Sequence, residues 1–322
     1  LPALVSIIVA SYNKAGLISE TIDSVVSQTY SYWELLLLDD ASSDGTDKII
    51  RQYSEKDERI KPFLNHVNKG ANYCRNTGLK EAKGKYLVFL DADDLFDKKC
   101  LEERVKFMEQ NQDLDFSVFS MLVFKKKIGD SSYEWIPDTK RPLHDFLSHN
   151  LPWQTMQPIW KTEFMIKLGG FDESFQRLQD VELHTRALLV QNVKYLCVKG
   201  PSDCYFRIDE GRKNFSEFDF LERWVNSTLK YCDKFTGTIS ARMKPLLLGT
   251  VYQTYLQILL QYRLDKIQKK EFLILEKKLM SASVVEESNS IKKFLLKLGR
   301  FYNLHLIRIP GINKLVRTLI IF

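Results

Sequence analysis

At 322 residues the chain can form one large domain or two of ordinary size, and its 44% apolar and 27% charged content is that of a soluble globular protein. The net charge of +6 is unevenly placed: residues 288–322 hold seven Lys or Arg and no Asp or Glu, so the remainder carries −1. Basicity confined to one end argues against a nucleic-acid-binding body. The five cysteines are odd in number, widely spaced and free of any CxxC, which favours reduced core thiols over disulfides or zinc ligands and suits a cytoplasmic protein. No basic, leader-like segment precedes the first strand-like run, so no secretory signal is expected.

Residues 5–10 read as a buried strand that ends in the polar turn 11–14. A helix follows over about 16–28, with Ile18, Ile22, Val25 and Val26 on one face. Residues 33–38 form a second strand running into Asp39 and Asp40; a helix over 46–55, a short strand over 60–64 and a helix over 72–82 come next, the last stopped near Gly84. The run 87–90 shows no alternation and reads as a strand buried on both faces, and it ends in Asp91, Asp93 and Asp94. This β-α-β-α-β-α-β order predicts an α/β fold, a mostly parallel, Rossmann-like sheet with helices on both faces, whose ligands bind beyond the C-terminal strand ends. Tyr12, Asp39, Asp40 and residues 91–94 all fall at such ends.

Three carboxylates within four residues repel one another unless a proton or cation intervenes. Mg or Mn takes one or two carboxylates and fills its other positions with water and phosphate, so the cluster reads as a metal site for a diphosphate. The alternative is solvated acids, or caps of the next helix, a role open to Asp97. Neither GxGxxG after the first strand nor GxxxxGK[ST] occurs, which argues against dinucleotide oxidoreductases and P-loop NTPases.

Further on, residues 114–124 read as one strand, followed by a polar loop to Arg141. Trp135, Trp153 and Trp160 are candidates for stacking on the apolar face of a ligand ring, against the alternative of core or rim packing. A short helix over 162–168, a turn at 169–173 and a helix from Gln179, burying Leu183, Ala187 and Leu188, complete this half. From Glu217 the pattern is helical. Residues 245–262 carry no charge, but Gln253, Gln257 and Gln261 make a polar stripe, which favours a packed amphipathic helix over a membrane span. In the tail, Ile291, Phe294, Leu295, Leu298, Phe301 and Tyr302 form one apolar face; beyond Pro310 and Gly311, so do Ile312, Leu315, Val316, Leu319 and Ile320. Basic amphipathic helices without acids suit an anionic membrane surface; the alternatives are docking on the catalytic domain or on a second copy of the chain, a homodimer.

Five motifs in order, residues 5–13, 38–46, 74–76, 89–94 and 169–172, resemble family 2 glycosyltransferases of the GT-A fold over roughly residues 4–212. The resemblance implies an inverting enzyme that uses a nucleotide-diphospho-sugar donor, by family habit a UDP-sugar, with a divalent Mn or Mg ion and a glycan or lipid-linked acceptor. It implies that Tyr12 stacks on the base, that Asp40 accepts hydrogen bonds from base or ribose, and that Arg75 meets nucleotide or phosphates. Asp93 would ligate metal, with Asp91 and Asp94 beside it contacting sugar, ribose or metal. Asp180 would be the catalytic base, although Gln179 replaces the Glu usual before it. Asp209 stands where the family has His and could ligate metal, while Arg207, Arg212 or Lys213 meets the diphosphate. The domain reading is a GT-A catalytic domain over 1–215, nucleotide-sugar half 1–100 and acceptor/base half 101–215, followed by a helical region 216–322 with the basic tail 288–322. The expected role is bacterial surface polysaccharide synthesis at the inner face of the plasma membrane. A processive synthase fits less well, because Phe220 precedes Arg223-Trp224 where its motif needs Gln. A sugar-nucleotide pyrophosphorylase and a non-catalytic nucleotide-sugar-binding or scaffold protein are the other readings.

Overall fold

A computed structural model describes residues 2–208, 216–305 and 312–321. In chain order the elements are β1 (Val5–Ser11), α1 (Ile18–Val26), β2 (Trp33–Asp39), α2 (Thr46–Ser54), β3 (Ile60–Leu64), α3 (Ala71–Glu81), β4 (Tyr86–Phe89), β5 (Leu95–Phe96), α4 (Cys100–Gln110), β6 (Phe116–Val118), β7 (Met121–Phe124) and β8 (Glu134–Trp135). They continue with α5 (Pro142–Leu147), β9 (Pro158–Lys161), α6 (Thr162–Leu168), α7 (Gln179–Leu189), β10 (Tyr195–Cys197), β11 (Cys204–Arg207), α8 (Glu217–Thr236), α9 (Leu246–Arg263), α10 (Lys269–Met280), α11 (Ser283–Glu286), α12 (Ser290–His305) and α13 (Ile312–Ile321).

The chain divides into two compact units. The first comprises 1–140, 152–173 and 186–212; the second comprises 141–151, 174–185 and 213–322. Two segments from earlier in the chain, 141–151 and 174–185, thus group with the helical unit.

The first unit holds a seven-stranded sheet in the order β10-β6-β9-β4-β1-β2-β3. β1 runs parallel to β2 from Val5 opposite Trp33 to Ser11 opposite Asp39, so these two strands end level. β4 is parallel to β1 on its other side, and Leu90 extends the pairing by donating to the Ile8 carbonyl. Only β9, antiparallel to β4 and β6, breaks the parallel pattern among the described residues. The central strands lack alternation because both faces are covered. Val5, Ile7 and Val9 share one core with Ile18, Ile22, Val25 and Ile50, whereas Ile8 meets α3 on the opposite face. There Gly78 allows close approach: a Cβ on it would stand 2.6 Å from the Ile8 side chain.

A smaller sheet, β5-β11-β7-β8, sits in the same unit. The strand expected over 114–124 is therefore two strands in two sheets. The buried Gln157 explains the break: it donates from its side chain to the Phe119 carbonyl, and its own carbonyl accepts from the Phe119 N–H. The chain can leave one ladder for the next with its backbone groups satisfied. Arg104 of α4 anchors the segment leading into β11. It is fully buried, donates to both carboxylate oxygens of Asp203 at 2.7 Å and reaches the Met156 carbonyl. Trp153 and Trp160 are wholly buried, with ring centroids 6.5 and 4.4 Å from that of Phe116, so both are core residues rather than sugar platforms. Trp135, on β8, is half-buried and donates to the Pro152 carbonyl.

The second unit is helical around α9, whose Leu247, Val251, Tyr255, Ile258 and Leu259 are buried while its glutamine stripe is half-buried. No helix among the described residues is long and apolar enough to cross a membrane. Val316 and Ile320 of α13 are buried, and Tyr252 of α9 donates to the Asn313 side chain at 3.0 Å. Part of the tail's apolar face thus packs within this unit. Leu296 is buried on α12, whereas Ile291 and Phe294, on the apolar face read from the sequence, are 69% and 62% exposed.

Candidate active site

The C-terminal ends of β1, β2 and β4 converge in the first unit, and two turns there are tied together. Asn13 adopts a left-handed φ of 51°, which its short polar side chain tolerates. Its N–H donates to the Ser42 hydroxyl and its side-chain carbonyl accepts from the Ser43 N–H. The Lys14 N–H donates to the Thr46 hydroxyl and the Ala15 N–H to the Asp44 carboxylate. Burial alone would raise the Asp44 carboxyl, but donation from the Thr46 hydroxyl and from the Ala15 and Thr46 N–H groups holds it below the usual value. Tyr12, at the tip of β1, leaves its side chain 42% exposed.

At the end of β2, Asp39 is buried and accepts from the N–H and hydroxyl of Ser42, so it holds the turn. Asp40 is also buried. Its carboxylate accepts from the Gly70 N–H at 2.7 Å, the Lys69 N–H at 2.9 Å and the Asn65 amide at 2.8 Å. Sequence reasoning missed these donors, which come from the far side of β3, although the Asn-Lys-Gly turn was visible.

At the end of β4 each acid has a protein partner. Asp91 pairs with Arg75 at 2.8 Å, and that guanidinium lies 5.1 Å over the Phe171 ring. Asp93, 2% exposed, pairs with Lys14 at 2.7 Å. Asp94 accepts the Arg207 N–H at 2.7 Å and donates its own N–H to the Asp91 carbonyl. The Arg207 guanidinium donates to the Asp93 carbonyl, pairs with Glu20 at 2.6 Å and lies 4.6 Å over Phe124. Lys14 and Glu20 were not anticipated; the only cue for Lys14 was its place beside Tyr12 and Asn13 in the same turn. Asp97 accepts from the Lys99 N–H ahead of α4 and from the Tyr205 hydroxyl.

Asp209, Arg212 and Lys213 lie outside the described residues. Among those described, no three His, Cys, Asp or Glu groups are placed to hold a metal together. The donor set still fits Mg or Mn, because such an ion needs one or two carboxylates and takes its other oxygens from phosphate and water. Asp93, with Asp91 beside it, supplies that number.

Asp180 is half-buried in the first turn of α7, in the part of that helix belonging to the second unit, where helix polarity favours a carboxylate. Glu182 points elsewhere: it is fully buried and pairs with Lys234 at 2.7 Å. Phe220 and Trp224 pack edge to face at 5.9 Å, and Arg177 covers both rings, so this pair belongs to a structural cluster in the second unit.

Several known proteins are similar to this chain. A putative teichuronic acid biosynthesis glycosyltransferase, TuaG, of Bacillus subtilis is 41% identical over 120 residues, covering 37% of this chain and 48% of that protein. The UDP-Glc:alpha-D-GlcNAc-diphosphoundecaprenol beta-1,3-glucosyltransferase WfgD of Escherichia coli is 47% identical over 108 residues, 34% of this chain and 42% of that protein. These matches span less than half the length of either relative. The solved structure of the mannosyltransferase PcManGT from Pyrobaculum calidifontis, in complex with GDP-Man and Mn2+, superposes with a TM-score of 0.55 at 20% identity, covering 100% of this chain and 86% of that one. That likeness establishes the GT-A fold. The sequence model of glycosyl transferase family 2 matches residues 6–169, half of the chain and most of the strand ends described above, and the chain therefore belongs to that family.

Proposed function

We propose that the protein is an inverting glycosyltransferase that moves a sugar from a nucleotide-diphosphate donor, in the first instance a UDP-sugar, to a hydroxyl of a glycan or lipid-linked acceptor in bacterial surface polysaccharide synthesis. One observation carries the reading: three strand ends gather Tyr12, Asp40, Asp91, Asp93 and Asp94 at one sheet edge, interleaved with the cations Lys14, Arg75 and Arg207. The relatives' names support the donor and acceptor classes. In this reading Tyr12 offers its exposed ring to the base, and Asp40 accepts a hydrogen bond from base or ribose. Arg75 and Arg207 supply positive charge for the diphosphate. Asp93 would hold Mn or Mg with Asp91 and Asp94 beside it, and Asp209 is a further candidate ligand. The bound ion neutralises charge growing on the leaving diphosphate.

Asp180 acts as general base. It takes the proton of the acceptor hydroxyl as that oxygen bonds to the anomeric carbon and the carbon–oxygen bond to the diphosphate breaks on the opposite side, which inverts the centre. Residues 1–215 form the catalytic part, with the donor half in 1–100 and the acceptor and base half in 101–215. The helical region 216–322 brings the enzyme to the cytoplasmic membrane face through the basic tail 288–322.

The test uses UDP-glucose, UDP-N-acetylglucosamine and GDP-mannose with Mn2+ and a diphospholipid-linked sugar acceptor. Acceptor-dependent release of nucleoside diphosphate is expected. Asp180→Asn should lower kcat by about 10²–10⁴-fold while nucleotide affinity stays within about threefold. Equal turnover in the variant would remove Asp180 from the mechanism. Donor binding without turnover on any acceptor would favour the scaffold reading.

A further inference from the structure

The Lys14 ammonium sits 2.7 Å from Asp93, the carboxylate assigned to the divalent ion, and that carboxylate is almost wholly buried. The Lys14 backbone cannot shift easily: its N–H is bonded to Thr46, its carbonyl starts α1 by accepting from Leu17 and Ile18, and its neighbours on both sides are bonded into the β2–α2 turn. Its side chain is a flexible four-carbon stem that remains 20% exposed. A fixed base thus carries a movable charge. The neighbouring cations are committed differently, since Arg75 and Arg207 are themselves buried and packed on aromatic rings.

We propose that Lys14 is a displaceable internal counterion for Asp93, so that the metal binds well only together with a nucleoside diphosphate. This rests on the transferase reading above. Without nucleotide, a divalent ion must displace the ammonium from Asp93 and leave it beside a dication. When a diphosphate arrives, Lys14 transfers from carboxylate to phosphate, and the Asp93 oxygen that it held becomes a ligand. The exchange costs no net ion pair: one lysine–carboxylate contact is replaced by a lysine–phosphate and a carboxylate–metal contact. Metal and nucleotide then strengthen each other's binding by the same factor, as linkage requires.

The test measures Mn2+ binding by electron paramagnetic resonance of the free ion, with and without UDP or GDP, in the wild type, Lys14→Gln and Lys14→Arg. The wild type should bind Mn2+ weakly alone and much more tightly with nucleotide. Lys14→Gln should tighten Mn2+ binding in the absence of nucleotide by about ten- to a hundredfold, the worth of one hydrogen bond to a charged group, and shrink the coupling factor correspondingly. Lys14→Arg, which keeps the charge, should leave nucleotide-free binding weak. Nucleotide-free Mn2+ affinity that is unchanged or weaker in Lys14→Gln would overturn the role of Lys14 while leaving the transferase reading intact. A wild type that binds neither UDP nor GDP, with or without Mn2+, would overturn both.

Discussion

Asp40 shows how a single side chain serves both fold and chemistry. An ionised carboxylate has about four acceptor positions, and Gly70, Lys69 and Asn65 occupy three of them. Two of those donors belong to the turn that starts α3, where Gly70 has a φ of 93° that other residues adopt only with strain. Asp40 therefore fixes the start of the helix that carries Arg75, and the Cys74 thiol lies within reach of the same carboxylate. Asp40→Asn would place an NH2 group against a backbone N–H in a buried setting. It should cost about 1–3 kcal/mol of stability, read by denaturant unfolding, and weaken nucleoside diphosphate binding. Asp40→Ala removes the clash but leaves the turn's N–H groups without their acceptor, and should be at least as destabilising. Full stability in Asp40→Asn would show that the Gly70 turn does not depend on this carboxylate.

At the scale of elements, the first half of the chain was legible because its local signals agree. The largely apolar run 33–38 and the unbroken one at 87–90 became β2 and β4, helical spacing put Ile18, Ile22 and Val25 on the buried face of α1 while Val26, expected with them, is 41% exposed, and the expected helix 162–168 is α6. What escaped was decided by residues far away in sequence. The apolar run 114–124 gives no hint of its division, because the cause is Gln157, and the Lys14–Asp93 pair spans 79 positions that only sheet topology brings together. The tail helices were half legible. α13 buries Val316 and Ile320 as one side of its apolar stripe but leaves Leu315 and Leu319 about half exposed, and α12 turns Ile291 and Phe294 outward. Exposed apolar residues beside Lys293, Lys297 and Lys314, in a segment without acids, are the basis for the proposed membrane contact. Because truncation would strip Val316 and Ile320 from the second unit's core, the better variant is Ile291→Ser, Phe294→Ser, Leu315→Ser and Leu319→Ser combined. It should stay folded and lose cosedimentation with phosphatidylglycerol-containing vesicles. Wild-type binding should fall with added salt and be weak on phosphatidylcholine alone. Equal vesicle binding by the variant would refute the membrane role. A concentration-dependent change in mass abolished by the same substitutions would assign the face to a second copy of the chain.

For the molecule as a whole, pH dependence follows from counting protons in the folded and unfolded chains. His184 is fully buried against Phe146, and burial pushes its pKa down to about 3. His149 is half-buried beside Trp224, and desolvation together with the nearby Arg317 guanidinium pushes it down to about 4. Both start from an unfolded value near 6.5, so above that pH neither state binds the proton and the full stability is present. As pH falls below 6.5 the unfolded chain takes up protons that the folded chain refuses. Stability is then lost, approaching about 1.4 kcal/mol per pH unit for each histidine, until the pH passes the folded values near 4 and 3. Carboxylates such as Glu34 act in the same direction at lower pH. Burial would raise Glu34, but donation from Lys61, Ser6 and the Lys83 N–H holds it below its usual value. The interval from pH 6 to 5 isolates the histidines: the two together should remove roughly 2 kcal/mol there. His184→Leu, an apolar replacement in an apolar site, should halve that loss, and adding His149→Phe should nearly abolish it. A wild-type unfolding free energy that is flat between pH 6 and 5 would mean that both imidazoles take their protons inside the fold; half the expected loss would mean that one does, and the two single variants would identify which.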